Sequence, residues 1–277
     1  MKGATFKNSI LTLALFIIFL SKGHSIGETT QVGARDVSLG NSTVALISSF
    51  SVFINQASLA WIKDYSLAID YRQPYLIDRF SQKSLAITIP TPLSNFAFSI
   101  QQKGIVGYNE SRYGFALAKT LGKRFSAGMQ FNYFEIDFPE QGSSRGTFLI
   151  EFGVLYRTEK NVSIGLHIFN PEGASIESLN LQTNLPFSIT GGIALKPSPE
   201  LLLATSATWS ENKPIDIGLG IEYQFAGRFL LRGGLSARPI RHSAGFGYKC
   251  QYFETDFAIV HHETLGYTPS ISFIFNF

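Results

Sequence analysis

One cysteine, Cys250, stands in a chain of 277 residues. An exported chain with one cysteine has no internal disulfide, so its stability must come from elsewhere. Lys and Arg form no cluster, and the formal net charge is only +3. That excludes the basic footprint of a nucleic-acid binder. No linker, charge run or low-complexity block divides the chain. After the first 25 residues no stretch approaches the ~20 apolar residues that a transmembrane helix needs, although 45% of the chain is hydrophobic. If the chain enters a membrane, it does so as a closed β-barrel, which satisfies its backbone polar groups without water. No Gly-rich phosphate loop leads from a strand into a helix.

The N-terminus is present for another purpose. Lys2 and Lys7 precede an unbroken apolar run, ILTLALFIIFL at 10–20, and then the small-residue stretch SKGHS. A basic start, an apolar core too short to span and small residues with Ser25 at the cut describe a secretory signal peptide over 1–25. An uncleaved anchor is the rival reading. No cysteine lies near the cut, so lipoprotein anchoring is not indicated.

From residue 65 onward one rhythm repeats. Tyr65, Leu67, Ile69 and Tyr71 alternate with Ser66, Ala68, Asp70 and Arg72. Phe125, Ala127, Met129, Phe131 and Tyr133 alternate with Ser126, Gly128, Gln130 and Asn132. Period two means an extended strand with two unlike faces. Fourteen such segments follow one another, the weakest at 201–209, which starts apolar on both faces. The second face holds Gly, Ser, Ala and Thr with scattered charges at Asp70, Arg72, Glu151, Asp216, Glu222, Arg232, Glu254 and Asp256. A soluble sandwich would stud that face with Lys and Glu. A transmembrane barrel would turn it inward, and would put the aromatic-rich face against lipid with Tyr and Phe in girdles. The expected fold is all-β: an antiparallel transmembrane barrel of about 14 strands over 65–277, with short turns at one end and longer loops at the other.

The last stretch, YTPSISFIFNF, places Tyr267, Ile271, Phe273, Phe275 and Phe277 on one face. Phe273, Phe275 and Phe277 resemble the C-terminal targeting signal that barrel-assembly machinery recognises. Outer-membrane location, with membrane lipid as a partner, follows as the expectation.

Residues 32–61, VGARDVSLGNSTVALISSFSVFINQASLAW, have a different rhythm. This stretch resembles the opening of the FadL-like barrels, especially the PorV/PorQ-like group of Bacteroidota, which carry an aromatic-x-Asn-Pro-Ala-x-Leu element. Asn55-Gln56-Ala57-Ser58-Leu59 matches it, except that Gln56 stands where Pro is usual. IGLHIFNP (164–171), GIEYQF (220–225), LRGGL (231–235) and LGYTPSISFIF (265–275) resemble later blocks. The resemblance implies that residues 26–64 fold inward as a plug. A barrel of fourteen strands is wider than one that side chains alone can fill. The plug and lumen candidates are Arg35, Asp36, Asn55, Asp70, Arg72, Glu151, His167, Glu222 and Arg232, with Lys63 a further pairing residue. Capping of plug turns is the plainer role for Arg35 and Asn55.

Few residues look catalytic. His261 and His262 are adjacent and so point to opposite faces of a strand, and Glu263 follows them; rim residues are the plain reading. His242-Ser243 lacks an orienting third group. His167 faces the lumen and needs no role there. Asp216 and Glu222 lie about 20 Å apart along a strand, too far for a carboxylate pair. The chain reads as a non-enzyme with no cofactor and no metal. Two functions remain. The resemblance puts a PorV/PorQ-like role in type IX secretion or surface assembly first, through secretion-system proteins. FadL-like uptake of a small hydrophobic ligand is the alternative, and a purely structural barrel stays open.

Overall fold

The computed structural model describes residues 31–77, 79–105, 107–139, 142–159, 161–178, 181–211 and 213–277. The signal peptide assigned to 1–25 lies outside them. Alternation decides the wall. In β1 (Ser66–Arg72), Ala68, Asp70 and Arg72 are buried while Ile69 and Tyr71 are exposed. The same two-residue period carries through β2 (Ser81–Pro90), β3 (Asn95–Ile105), β4 (Tyr108–Leu121), β5 (Phe125–Phe138), β6 (Ser143–Arg157) and β7 (Val162–Phe169). A short hairpin follows, β8 (Ser175–Ser178) and β9 (Leu181–Asn184). The wall resumes with β10 (Ser188–Leu195), β11 (Leu201–Ser210), β12 (Asp216–Phe225), β13 (Phe229–Ala237), β14 (Ile240–Lys249), β15 (Phe253–His262) and β16 (Gly266–Asn276).

Each wall strand pairs antiparallel with its chain neighbour, β7 pairs β10, and β1 pairs β16 to close the ring. The wall therefore has the fourteen strands expected, and the weak segment at 201–209 is β11 in full. Closure removes the edges that an open sheet would expose to lipid. Among the described residues no helix is long and apolar enough to cross a membrane. Both ends of the wall, at Ser66 and Asn276, lie at the short-turn end and pair directly.

Three expectations need correction. The stretch SIESLNLQTN, read as loop, contains the β8–β9 hairpin. Several connections read as long are tight. ARPIRHS turns through the two residues 238–239, and β3 and β4 run to Ile105 and Tyr108. Strands β4 to β6 are 14, 14 and 15 residues long. At ~3.3 Å per residue they outrun a hydrocarbon layer of about 30 Å, so polar residues near their ends still belong to the wall. Thirdly, Lys63 is exposed and joins none of the described ion pairs.

The inner face is small because backbone lies against it. The N-terminal segment forms a short helix α1 (Ala34–Ser38) and two 3-10 turns, Ser49–Phe53 and Gln56–Trp61. Helix α1 touches β13 to β16, and the second 3-10 turn touches β3 to β6 on another side of the ring. Val32, Phe50, Val52, Phe53 and Leu59 pack on Ala68, Ala86, Ala97, Ala116 and Ala118 of the wall. Larger wall residues would not fit. A Cβ at Gly128 would stand 2.6 Å from the carbonyl carbon of Gln56, and one at Gly220 2.6 Å from the Leu39 oxygen. Glycine in a strand here marks close backbone approach.

Candidate functional site

The 3-10 turns set the polar side chains of the segment. Ser48 and Ser51 bond reciprocally at the start of the first turn. Asn55 starts the second: its Oδ1 accepts from the Ala57 amide. Its Nδ2 donates to Val44 O at 2.7 Å and crosses to Val154 O of β6 at 3.1 Å. Asn55 thus caps, as the plain reading had it, and also ties the segment to the wall. Trp61 Nε1 donates to Ser126 Oγ at 2.9 Å, with the Arg157 guanidinium 4.6 Å over its ring.

Two buried polar clusters join segment and wall. In the first, Arg35 forms a two-pronged pair with Glu222, Nε to Oε2 and Nη2 to Oε1, both at 2.8 Å. Arg232, the cross-strand partner of Glu222, reaches Glu222 Oε2 and Asp256 Oδ1 at 2.6 Å each. Burial works to lower the Arg35 pKa, but the Glu222 carboxylate outweighs it and holds the guanidinium charged. Asp36 beside it is buried, and burial pushes its carboxyl up to about 7 against the opposing pull of Arg35. Its Oδ2 has no partner among the described residues.

The second cluster centres on Glu151, whose side chain is fully buried. Gln56 Nε2 and His167 Nε2 lie 2.9 Å from its Oε2; Asn132 Nδ2 lies 3.0 Å and Arg112 Nη1 3.4 Å from its Oε1. Arg112 sits with its guanidinium 5.9 Å from the Phe53 and Phe169 rings. Its Nε and Nη2, and Nε2 of its register partner Gln101, have no partner among the described residues.

Of the expected residues, Arg35, Glu222 and Arg232 meet in one cluster and Glu151 and His167 in the other. Asp70 and Arg72 stay apart from both. Ser270 Oγ donates to Asp70 Oδ1 at 3.2 Å, and Arg72 Nε and Nη2 have no partner among the described residues. Phe273 and Phe275 pack on Phe253 of β15, and Phe277 is 75% exposed. The sequence reading missed Arg112, Gln130, Asn132 and the role of Gln56. Their alternation with outward aromatics was the available signal: Arg112 precedes Tyr113, and Asn132 sits between Phe131 and Tyr133.

On the β5–β7 side the long-connection end is apolar inside. Phe134, Ile136, Leu149 and Phe169 turn inward there and are buried with Ile176 and Leu185 from the β8–β9 region. On the outward face, Ile193, Leu203, Thr205, Leu219, Ile221 and Leu235 line an apolar groove of about 440 Å³. Its one hydroxyl is already engaged, since Thr205 Oγ1 donates to Gly218 O at 3.1 Å.

No family model matches the sequence, and no curated protein does. The fold has close parallels among solved structures. The Ralstonia pickettii toluene transporter TbuX superposes with a TM-score of 0.65 at 13% identity, over 88% of this chain and 98% of that one. A Pseudomonas aeruginosa FadL homologue gives 0.67 at 12%, over 91% and 100%. The P. putida toluene transporter TodX gives 0.69 at 11%, over 90% and 99%. At these identities the likeness is one of fold. The chain has the fourteen-strand fold of FadL-type outer-membrane barrels.

Proposed function

We propose that this chain is a non-enzymatic outer-membrane channel that takes up a small hydrophobic molecule. Residues 1–25 act as a cleaved export signal, 26–64 as the plug and 65–277 as the barrel. The observation that carries the reading is the apolar mouth. A water-filled porin has a polar interior. Here Phe134, Ile136, Leu149 and Phe169 face inward under the β8–β9 hairpin, next to Phe53 of the N-terminal segment across Arg112. At 0–4% exposure these side chains form a closed apolar seal; parting it exposes a path into which a hydrophobic solute partitions from water. The parallels that are toluene transporters lean the same way. Arg35, Asn55, Glu151, His167, Glu222 and Arg232 hold the plug in the resting state; Asp36 lies in the plug itself, and Asp70 and Arg72 on the inner face of β1.

Uptake of a radiolabelled monoaromatic hydrocarbon by cells expressing the full-length protein tests this. Expression should raise uptake over an empty vector, and Ile136→Asp should return it to the vector level with the barrel still in the membrane. Equal uptake with and without the protein would overturn the proposal. The competing reading is PorV/PorQ-like service to type IX secretion through protein contacts, and it rests on the sequence blocks alone. A stoichiometric protein partner on the extracted barrel, with no small ligand, would favour it.

Phe273, Phe275 and Phe277 form the element that the barrel-assembly machinery reads. Phe277→Ala should lower the amount of heat-modifiable barrel in outer-membrane fractions and raise the unfolded periplasmic pool. Unchanged amounts would remove that role.

A further inference from the structure

His242 and His261 are nineteen positions apart in sequence, yet they are direct partners in the β14–β15 ladder. Both share the outward face. His242 has the parity of Phe246, which is 39% exposed, and His261 that of Phe257 and Ile259, which are 49% and 46% exposed. On the opposite face of β14, Ser243 donates inward to Ser38 O. The two imidazoles stand with centroids 6.5 Å apart and planes 23° from parallel. Tyr267 of β16, the register partner of His261, packs its ring 4.7 Å from that imidazole. Among the described residues neither His242 nor His261 has a hydrogen-bond or ion-pair partner.

We propose that His242 and His261 form a two-imidazole chelate for a divalent transition-metal ion on the outward face near the long-connection end. A metal–nitrogen bond is about 2 Å, so two imidazoles sharing one ion sit with ring centres roughly 5 Å apart. Small side-chain rotations on two adjacent strands close that gap, because each ring swings on two torsions and the ladder fixes the Cα positions. No third His, Cys, Asp or Glu gathers there among the described residues, so two sites come from protein and the others stay open to water. Imidazole pairs of this kind favour Cu²⁺, the strongest of the divalent first-row series, then Ni²⁺ and Zn²⁺. Adjacent residues could not have shown this. His261 and His262 point to opposite faces, and His262 Nδ1 accepts from the Thr264 and Leu265 amides to shape the turn.

The test is a Cu²⁺ titration of the purified, His-tag-free full-length barrel in detergent, read by calorimetry and electron paramagnetic resonance. One ion per chain should bind, with hyperfine structure from two imidazole nitrogens. His242→Ala and His261→Ala should each weaken binding by about tenfold or more, and His262→Ala should leave it unchanged. Heat-modifiable migration of each variant on gels establishes that the barrel is intact. Cu²⁺ binding equal in wild type and both variants, or a single-imidazole spectrum, would overturn the proposal.

Discussion

Replacing Glu151 by alanine should destabilise the barrel interior by about 3–5 kcal/mol, the range for breaking a buried ion pair from one side. The carboxylate is the acceptor for Gln56, Asn132, His167 and Arg112. Without it, Arg112 is a buried guanidinium with no described counter-charge and with Nε and Nη2 already unpaired. Gln56 keeps its bond to Val52 O but loses its shorter link to the wall. Urea unfolding of the purified protein followed by tryptophan fluorescence measures the loss, since Trp61 lies in the segment that Gln56 begins. The denaturation midpoint should fall clearly for Glu151→Ala and less for Glu151→Gln, which keeps the shape and one oxygen. Removing the stranded charge as well, in Glu151→Ala with Arg112→Met, should recover much of the deficit. An unchanged midpoint for Glu151→Ala would show that the cluster does not fasten the segment.

The wall was legible because a strand writes its two faces into alternate residues. Tyr71 beside Arg72, or Phe257 beside Asp256, says which side meets lipid without any knowledge of neighbours. Register is a weaker signal. Glu151 and His167 lie on adjacent strands, and counting through the connection from β6 to β7 brings them within reach. Arg35 and Glu222, 187 residues apart, leave no such trace, because the segment's path across the lumen is set by packing against the whole ring. The β8–β9 hairpin was illegible for the opposite reason. Its strands are four residues each, too short for a period to stand out, and Ile176 is buried by contact with β5 to β7 residues rather than by pattern. Gln56 shows the limit of a resemblance. Against the usual Pro it was only a departure; its amide is a link between segment and wall.

Glycines 233 and 234 are adjacent in β13, and alanine at each should give opposite results. Gly233 faces outward, and the nearest atom to an added Cβ is Ile221 Cγ2 at 3.7 Å, ordinary contact. Gly234 faces inward, where a Cβ would fall on the Gly40 amide nitrogen and 2.5 Å from the Leu39 carbonyl carbon. Backbone cannot swing aside as a side-chain tip can. Gly40 is itself at φ 62, and a Cβ there would meet Leu235 O at 2.5 Å, so the turn has little freedom to retreat along the wall. Overpacking of this kind costs about 1–3 kcal/mol, and the part that yields is the N-terminal segment, because the strand is held by ladders on both sides. Gly234→Ala should therefore loosen the segment while the barrel stays closed. In planar bilayers its single-channel conductance should rise well above that of the wild type, and Gly233→Ala should match the wild type. Equal conductance in all three would mean either that residues 39–40 do not obstruct the lumen or that the wall, not the segment, absorbs the added methyl. Heat-modifiable migration of Gly234→Ala distinguishes these, because a wall that gives way loses its folded form at lower temperature.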